Sequence, residues 1–319
     1  MNHRVIKKIT RLPLFLVLLS LGSCNTEIIP ANDLARENQK IGVLIVNHGS
    51  RSEVWRNALL DLERSIKDSM LGNEFIEESK TAFMEYTEPS IATRLKEFDA
   101  EGFTDVILIP VFLSVSTHSF DDIPTIIGRK EDPTSLETLK LENIERYSPK
   151  ARVHITPLLD FTEIIEQNIL RRVRDLSVNP AGEGLTLIAY GDNTYLHEWK
   201  SLLHQVGEFV AKNTGIERHS HGWCGHLAHY SPDSTSAAIN RVLNHKETAI
   251  VIPVLVAHDE MFQIKIIGDG IAKIPNSDKR IVYKPDAILP DRNVEKWVLD
   301  IANEYVDVAR NKQFSLTNR

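Results

Sequence analysis

The chain has 319 residues, 42% of them apolar, and a formal net charge of −7. Residues 1–23 carry four positive charges and no negative ones, so the remainder holds 33 Lys and Arg against 44 Asp and Glu, a net charge near −11. This balance argues against a nucleic acid partner, because phosphate binding needs a concentrated basic surface. The length and apolar content are sufficient for a large buried core.

The first residues have the pattern of a secretory signal. A basic start is followed by an apolar run from Leu12 to Leu21, shorter than the roughly 20 residues that span a bilayer as a helix. Leu21-Gly22-Ser23-Cys24 resembles the bacterial lipoprotein box, which predicts a signal peptide over 1–23 and acylation of Cys24. Asn25 follows the cysteine at the position where Asp would indicate retention in the inner membrane, so anchoring to the outer membrane, facing the periplasm, is favoured. The alternative is a secreted protein with a free Cys24.

Residues 24–40 are polar, contain Pro30 and predict a tether between the lipid and a folded region. With Cys24 acylated, only Cys224 remains, so we expect no disulfide within the chain. From Ile41 onwards, short apolar runs alternate with amphipathic segments, which predicts parallel strands connected by helices. The predicted strands of the first half are Gly42–Val46, a run ending near Ala82–Tyr86, Asp105–Leu113 and Val153–Thr156, with a final helix from Phe161 to about Leu176.

The second half repeats this order. Its predicted strands are Leu185–Tyr190, His219–Trp223, Thr248–Val256 and Arg280–Ile288, with helices around Trp199 and from Ser231 and Asp291. Two anchors relate the halves: Trp55 matches Trp199, and Val106–Val111 matches Ala249–Val254. We therefore predict two similar doubly wound α/β lobes, 41–179 and 180–319, each with a parallel sheet. Ligands of such sheets bind at the carboxyl ends of the strands, so a cleft is expected between the lobes.

Two histidines leave the first lobe at strand ends. His48 follows the first strand within Asn47-His48-Gly49-Ser50-Arg51, and His118 follows the third strand. A single histidine in such a place is more often structural than a ligand. Two imidazoles from neighbouring strand ends, however, suit a divalent ion such as cobalt, nickel, iron or zinc.

Three segments in order resemble the class II chelatases of the CbiX kind: Val46–Arg51, Ala82–Ile91, and Ile109–Leu113 continuing to His118 and Pro124. The resemblance covers roughly residues 41–176. It implies insertion of cobalt, or of iron or nickel, into sirohydrochlorin or a related tetrapyrrole, with the metal as substrate and no organic cofactor. It also implies that His48 and His118 bind the metal and accept the pyrrole protons.

The second lobe departs from this pattern. Aligning the tryptophans places Asp192 at the position of His48 and Ala228 at that of Glu85, which predicts a single active site. His258-Asp259-Glu260 is similar to the Gly-Asp-Glu stretch of two-lobed cobaltochelatases, and a shorter loop there would bring Glu260 or His258 opposite His118. Glu85 competes for this third polar role, because it ends a strand beside His48.

Several further residues have features of a substrate or metal site. Ser50 and Arg51 are predicted to bind the substrate. Arg51 and Arg129 could contact the carboxylates of an acidic tetrapyrrole, although a solvent-facing role is favoured for Arg129. The histidine-rich run from His219 to His229 is either a solvated strand end or an accessory metal site.

Export also motivates a second functional hypothesis, a periplasmic lipoprotein that binds a tetrapyrrole or metal without turnover. A metal-dependent hydrolase is less favoured, since no carboxylate-rich cluster suits a two-metal site.

Overall fold

The computed structural model describes residues 39–159 and 163–316, which form two four-stranded sheets. All strands within each sheet are parallel, in the orders β2-β1-β3-β4 and β6-β5-β7-β8. The strands are β1 (Ile41–Asn47), β2 (Ile76–Phe83), β3 (Asp105–Pro110), β4 (Arg152–Ile155), β5 (Glu183–Ala189), β6 (His219–Trp223), β7 (Thr248–Val254) and β8 (Ile281–Tyr283). The predicted α/β class with two parallel sheets is confirmed. The predicted signal peptide, Cys24 and most of the tether lie outside the described residues.

Helices connect the strands in both halves. They are α1 (Glu53–Leu71), α2 (Ile91–Ala100), α3 (Ile123–Ile126), α4 (Pro133–Leu141), α5 (Ile164–Leu176), α6 (Leu196–Thr214), α7 (Asp233–Leu243), α8 (Gly268–Ala272), α9 (Ser277–Arg280) and α10 (Arg292–Leu316). A π-helical turn precedes α3 at His118–Asp122, and another precedes α8 at Met261–Ile267. The two halves thus share an irregular turn after their third strand.

Helix α1 shows how local sequence sets an element. The Ser52 hydroxyl accepts a hydrogen bond from the Trp55 amide and caps the first turn. The buried face consists of residues at helical spacing: Leu59, Leu62, Ile66 and Met70. Val54, which the periodicity also assigns to this face, is 58% exposed at the start of the helix.

Strand β1 is buried along its whole length because both faces of its sheet are covered. Val43 and Ile45 enter a core that continues through both lobes, whereas Leu44 and Val46 enter a second core confined to lobe 1. This alternation follows from the opposite orientation of successive strand residues. The lobes are therefore joined by shared apolar packing.

The last helix of each half packs on the other half. Helix α10 contacts β1, β3 and α1, while α5 contacts α6 and β7. The buried Asn168 of α5 donates to the Asp291 carboxylate at 2.6 Å and to the Ile288 carbonyl at 3.2 Å.

Within residues 39–159 and 163–316, no helix has both the length and the apolar character needed to cross a membrane.

Candidate active site

A cavity of about 1080 Å³ lies between the carboxyl ends of the strands of the two sheets. Its volume is slightly above the roughly 300–1,000 Å³ typical of small-molecule sites. His48, Tyr86 and His118 line it from lobe 1, and Tyr190 and Phe262 line it from lobe 2. A ligand in this cavity would contact both lobes.

His48, Glu85 and His118 form a group of potential metal ligands in lobe 1, in which the two histidines line the cavity and Glu85 lies buried beside them. One donor atom from each lies within 4.8 Å of the other two. They come together because each follows one of the neighbouring strands β1, β2 and β3. Gly49 permits the approach: it has a φ of +99°, and a Cβ there would lie 2.0 Å from the Glu85 carbonyl oxygen.

The surroundings of His48 define its hydrogen-bonding state. Its Nδ1 lies 3.0 Å from the Gly49 carbonyl oxygen, which can only accept, so Nδ1 carries the proton. Burial, with the neighbouring His118, lowers the pKa of His48 to about 3, and the ring is neutral. Nε2 therefore presents a lone pair to Glu85 Oε1 at 3.0 Å. Burial raises the pKa of Glu85, which favours the neutral carboxyl group, the form that can donate to this lone pair.

His118 is held by an acidic partner. Its Nδ1 donates to the Asp122 carboxylate at 2.8 Å, one turn along the π-helical segment, which leaves Nε2 available. Burial alone would lower the pKa of His118, but the hydrogen bond and charge of Asp122, together with Glu85, raise it. A carboxylate behind an imidazole is a common arrangement for orienting a metal-binding histidine. The His48 and His118 ring centroids lie 4.6 Å apart.

The structure does not bring His258 or Glu260 into this group. His118 is eight residues beyond Pro110, and Met261 is eight residues beyond Pro253, so the expected shorter loop in lobe 2 is wrong. His258 Nδ1 instead lies 2.8 Å from the Pro285 carbonyl oxygen, and Glu260 is exposed at the start of the second π-helical turn.

Asp259, between these two residues, is the one that reaches the cavity. Its Oδ2 accepts from the Ser50 hydroxyl at 2.9 Å, and its Oδ1 accepts from the Met261 amide at 2.9 Å. Asp259 therefore joins the lobes and caps the turn that follows. Ser50, predicted to bind substrate, uses its hydroxyl proton in this contact.

The pairing of the strands also corrects the positions matched by the tryptophan alignment. Ile45 of β1 pairs with Ile109 of β3, and Leu187 of β5 pairs with Ile252 of β7. Because Ile109 and Ile252 correspond in the repeat, Ile45 corresponds to Leu187. Tyr190, rather than Asp192, therefore lies at the position of His48. The pairings Asn47–Phe83 and Ala189–Trp223 likewise place Gly225, rather than Ala228, at the position of Glu85. With Met261 at the position of His118, lobe 2 lacks all three donors, as a single active site requires.

Asp192 lies elsewhere at the lobe interface. Its Oδ2 accepts from both the backbone amide and the hydroxyl of Thr117, at 3.0 and 3.1 Å. Thr117 immediately precedes His118. The contact therefore anchors the start of the π-helical turn to lobe 2.

Aromatic side chains form the lobe 2 wall. The Tyr190 ring packs on Gly225, where a Cβ would lie 2.8 Å from ring atoms, and it contacts His226, Tyr230 and Phe262. The sequence interpretation missed this wall, because its members come from three separate segments. The signal that could have located them is the repeat itself, had the halves been aligned on strand pairing. Such a wall can stack against a flat aromatic ligand that faces the donors.

The remaining predicted site residues are divided between the cavity and other parts of the structure. Arg51 lines the cavity, with its guanidinium 5.3 Å from the centre of the Tyr86 ring. Arg129 is exposed and donates to the Val153 carbonyl away from the cavity. The histidine-rich run is split: His226 and His229 line the cavity, whereas His219 contacts Glu208 on α6.

Comparison with known proteins places this geometry in a family. The CbiX family model matches residues 42–176. A sirohydrochlorin cobaltochelatase of Methanococcoides burtonii is 34% identical over 100 residues, which cover 31% of this chain and 72% of that protein. The family match lies in the half that holds His48, Glu85 and His118.

Solved structures extend the likeness of the fold to both lobes. SirB from Bacillus subtilis, determined with Fe³⁺, has a TM-score of 0.61 at 17% identity and covers 83% of this chain and 95% of its own. The sirohydrochlorin chelatase SirB of Bacillus subtilis subspecies spizizenii, in complex with cobalt, has a TM-score of 0.55 at 16% identity with the same coverage. From its matched family model and its cobaltochelatase relative, the chain belongs to the CbiX family of chelatases.

Proposed function

We propose that this chain is an enzyme that inserts a divalent metal ion, cobalt in the first instance, into sirohydrochlorin or a closely related tetrapyrrole. The observation that carries the proposal is the group of His48, Glu85 and His118, in which the two histidines line one wall of the cavity, Glu85 lies buried beside them, and the opposite wall is aromatic. A planar macrocycle between the walls would present its central nitrogens to the ion. The relatives named as sirohydrochlorin chelatases support the choice of substrate.

The metal enters as a substrate. Nε2 of His48 and Nε2 of His118 bind it, and the ionised form of Glu85 contributes a carboxylate oxygen. Two imidazoles and a carboxylate accept cobalt, iron and nickel alike, so the preference for cobalt rests on the relatives. The proposal needs no organic cofactor.

Insertion releases two protons from the pyrrole nitrogens as the ion moves from the protein to the macrocycle. His118 is suited to accept one, because Asp122 stabilises the charged imidazole. Glu85 is suited to accept the other, because burial favours its neutral form. His48, whose pKa is lowered to about 3, acts as a neutral ligand. The two pyrrole protons thus go to His118 and Glu85, and the two negative charges left on the macrocycle balance the charge of the divalent ion.

An insertion assay tests the proposal. Purified protein, cobalt and sirohydrochlorin are mixed, and the absorbance change of metallation is followed against the spontaneous rate. We expect His48→Ala to lower the rate on the order of 100-fold, the scale of losing a group that acts directly in the reaction. His258→Ala is the matched control, because His258 lies outside the donor group, and it should retain the wild-type rate.

Two results would reject the enzyme. One is a wild-type rate no faster than the spontaneous reaction, and the other is a His48→Ala variant as fast as wild type. Tight tetrapyrrole binding without turnover would instead identify the binding lipoprotein that export suggests.

We also propose that the protein is exported and anchored through acylated Cys24 to the outer membrane, facing the periplasm. The support is the signal pattern of residues 1–23 and the lipoprotein box. Cys24→Ser should move the protein from the membrane fraction to the soluble fraction, and an unchanged distribution would contradict the anchor.

A further inference from the structure

A second group of potential metal ligands lies on lobe 2, outside the cleft. It consists of His204 and Glu208 on α6 and His219 at the start of β6. The spacing of four residues places His204 and Glu208 on one face of the helix. The element next to that face supplies His219, so the group combines a local helical motif with a tertiary contact.

Gly207 makes room for the group. It is buried in the interior of α6, and a Cβ at this position would lie 2.4 Å from Nδ1 of His219. Glycine in a helix interior is unfavourable, yet here it lets the imidazole lie against the helix backbone between His204 and Glu208. The helix is thus shaped around the His219 ring.

The donor atoms are close enough to share one ion. One donor atom from each residue lies within 4.8 Å of the other two. His219 Nε2 lies 2.8 Å from Glu208 Oε1, and the His204 and His219 ring centroids are 5.5 Å apart. His204 and Glu208 are exposed, so an ion can reach them from solvent. Two imidazoles and one carboxylate are a ligand set for divalent first-row transition metals.

This group is separate from the cleft. His219 begins β6, whereas the cleft lies at the carboxyl ends of the strands, where Trp223 packs beside Gly191. From His219 to Trp223 the strand rises about 13 Å, at about 3.3 Å per residue. An ion bound at His219 is therefore too far from the cleft to share ligands with His48 or His118.

We propose that His204, Glu208 and His219 form a second binding site for a divalent first-row transition metal ion, which links α6 to β6. The site does not depend on the proposed chelatase activity. The bound ion holds the helix against the edge strand of the second sheet and stabilises lobe 2.

The test is calorimetric titration of the full chain with Zn²⁺, which has no redox chemistry. We expect two ions per wild-type chain. We expect one in the His48→Ala/His118→Ala double variant, which lacks the two histidine ligands of the cleft. In that background, His204→Ala should lower the affinity at least about tenfold, because the ion loses one of three ligands. His197→Ala, an exposed histidine on the same helix, is the matched control and should leave the affinity unchanged.

Gly207→Ala in the same background retains all three ligands but displaces the His219 ring, so it should also weaken binding. Circular dichroism of each variant confirms that the fold is retained, and His204 is exposed enough for its substitution to be tolerated. The proposal is overturned by a double variant that binds no Zn²⁺, or by His204→Ala and Gly207→Ala variants that bind it as tightly as their parent.

Discussion

His48 and His118 have adjacent imidazole rings but opposite electrostatic surroundings. Burial and the neighbouring ring lower the pKa of His48 to about 3, whereas Asp122 and Glu85 overcome burial and raise the pKa of His118. The two residues are thereby prepared for different tasks, one as a neutral ligand and one as a ligand that can also hold a proton. Groups with pKa values shifted in opposite directions often divide acid and base roles in this way.

The His118–Asp122 contact leads to a prediction about activity. Asp122→Asn removes the charge that orients and stabilises His118 while preserving side-chain size, so metal insertion should fall roughly 10- to 100-fold. The initial insertion rate measures this effect. Asp121→Asn is the matched control, because Asp121 bonds Lys130 and Tyr195 instead. Equal rates for both variants would remove Asp122 from the mechanism.

At the residue scale, sequence alone could locate the donors of lobe 1 but not their surroundings. His48, Glu85 and His118 follow three strand ends, and parallel strands bring such ends together. Asp259, Tyr190 and Gly225 could not be assigned, because their positions depend on strand pairing and on the conformation of the turns. Alignment by the tryptophans does not match Tyr190 with His48, because the segment between the first strand and the tryptophan differs in length between the two halves.

At the scale of elements, β3 begins at a buried acid, Asp105. It accepts hydrogen bonds from His154 and Arg152 on β4 and from Gln39 and Thr104. This cluster resembles a catalytic group in composition, but it lies at the amino ends of the strands, opposite the cleft. Its role is to fix the pairing of β3 with β4.

Asp105 leads to a prediction about stability and pH. Burial alone would raise its pKa, but the hydrogen bonds, that of His154 foremost, lower it from 3.8 to about 2. A lowered folded-state pKa stabilises the protein above the unfolded value of 3.8, and this contribution is lost as the pH falls towards 2. Asp105→Asn should therefore reduce the free energy of unfolding at neutral pH by about 2 kcal/mol.

Urea unfolding at neutral and acidic pH measures this difference. The gap between wild type and Asp105→Asn should narrow as the pH falls towards the pKa of Asp105. Asp68→Asn, at an exposed position on α1, should change stability little at either pH. A gap independent of pH would show that the Asp105 charge does not stabilise the fold.

The positions of the central strands along the chain were predictable at this scale, because buried parallel strands form distinct apolar runs. The sequence gives less warning of the π-helical turns at His118–Asp122 and Met261–Ile267. Such turns depend on tertiary packing and have no strong local signature. The turn places Asp122 behind His118, so this element supplies the histidine's acidic partner.

At the scale of the whole molecule, the two halves of the chain are interlocked. Helices α5 and α10 each cover part of the opposite half, and one apolar core continues through both. The sequence predicted two lobes and a cleft but not this exchange, because amphipathic helices do not specify which sheet they cover. The exchange fixes the distance between the donor wall and the aromatic wall.

This packing predicts that a change in α10 destabilises both lobes. Ile301→Ala removes a buried side chain from the shared core and should reduce the free energy of unfolding by roughly 2–5 kcal/mol. Hydrogen exchange of the β1 and β5 amides measures the effect, and both strands should lose protection. Glu304→Ala, an exposed position on the same helix, is the control. Loss of protection in β1 alone, the strand that α10 contacts directly, would mean that the lobes unfold independently.

The measurement that tests the central claim most directly is anomalous X-ray scattering at the cobalt edge from crystals soaked in Co²⁺. The chelatase mechanism predicts a peak in the cleft at roughly 2 Å from Nε2 of His48 and Nε2 of His118, with a Glu85 oxygen alongside. This peak should be absent from the His48→Ala/His118→Ala double variant. A cleft without cobalt, or a cleft ion that contacts neither histidine, would contradict the account.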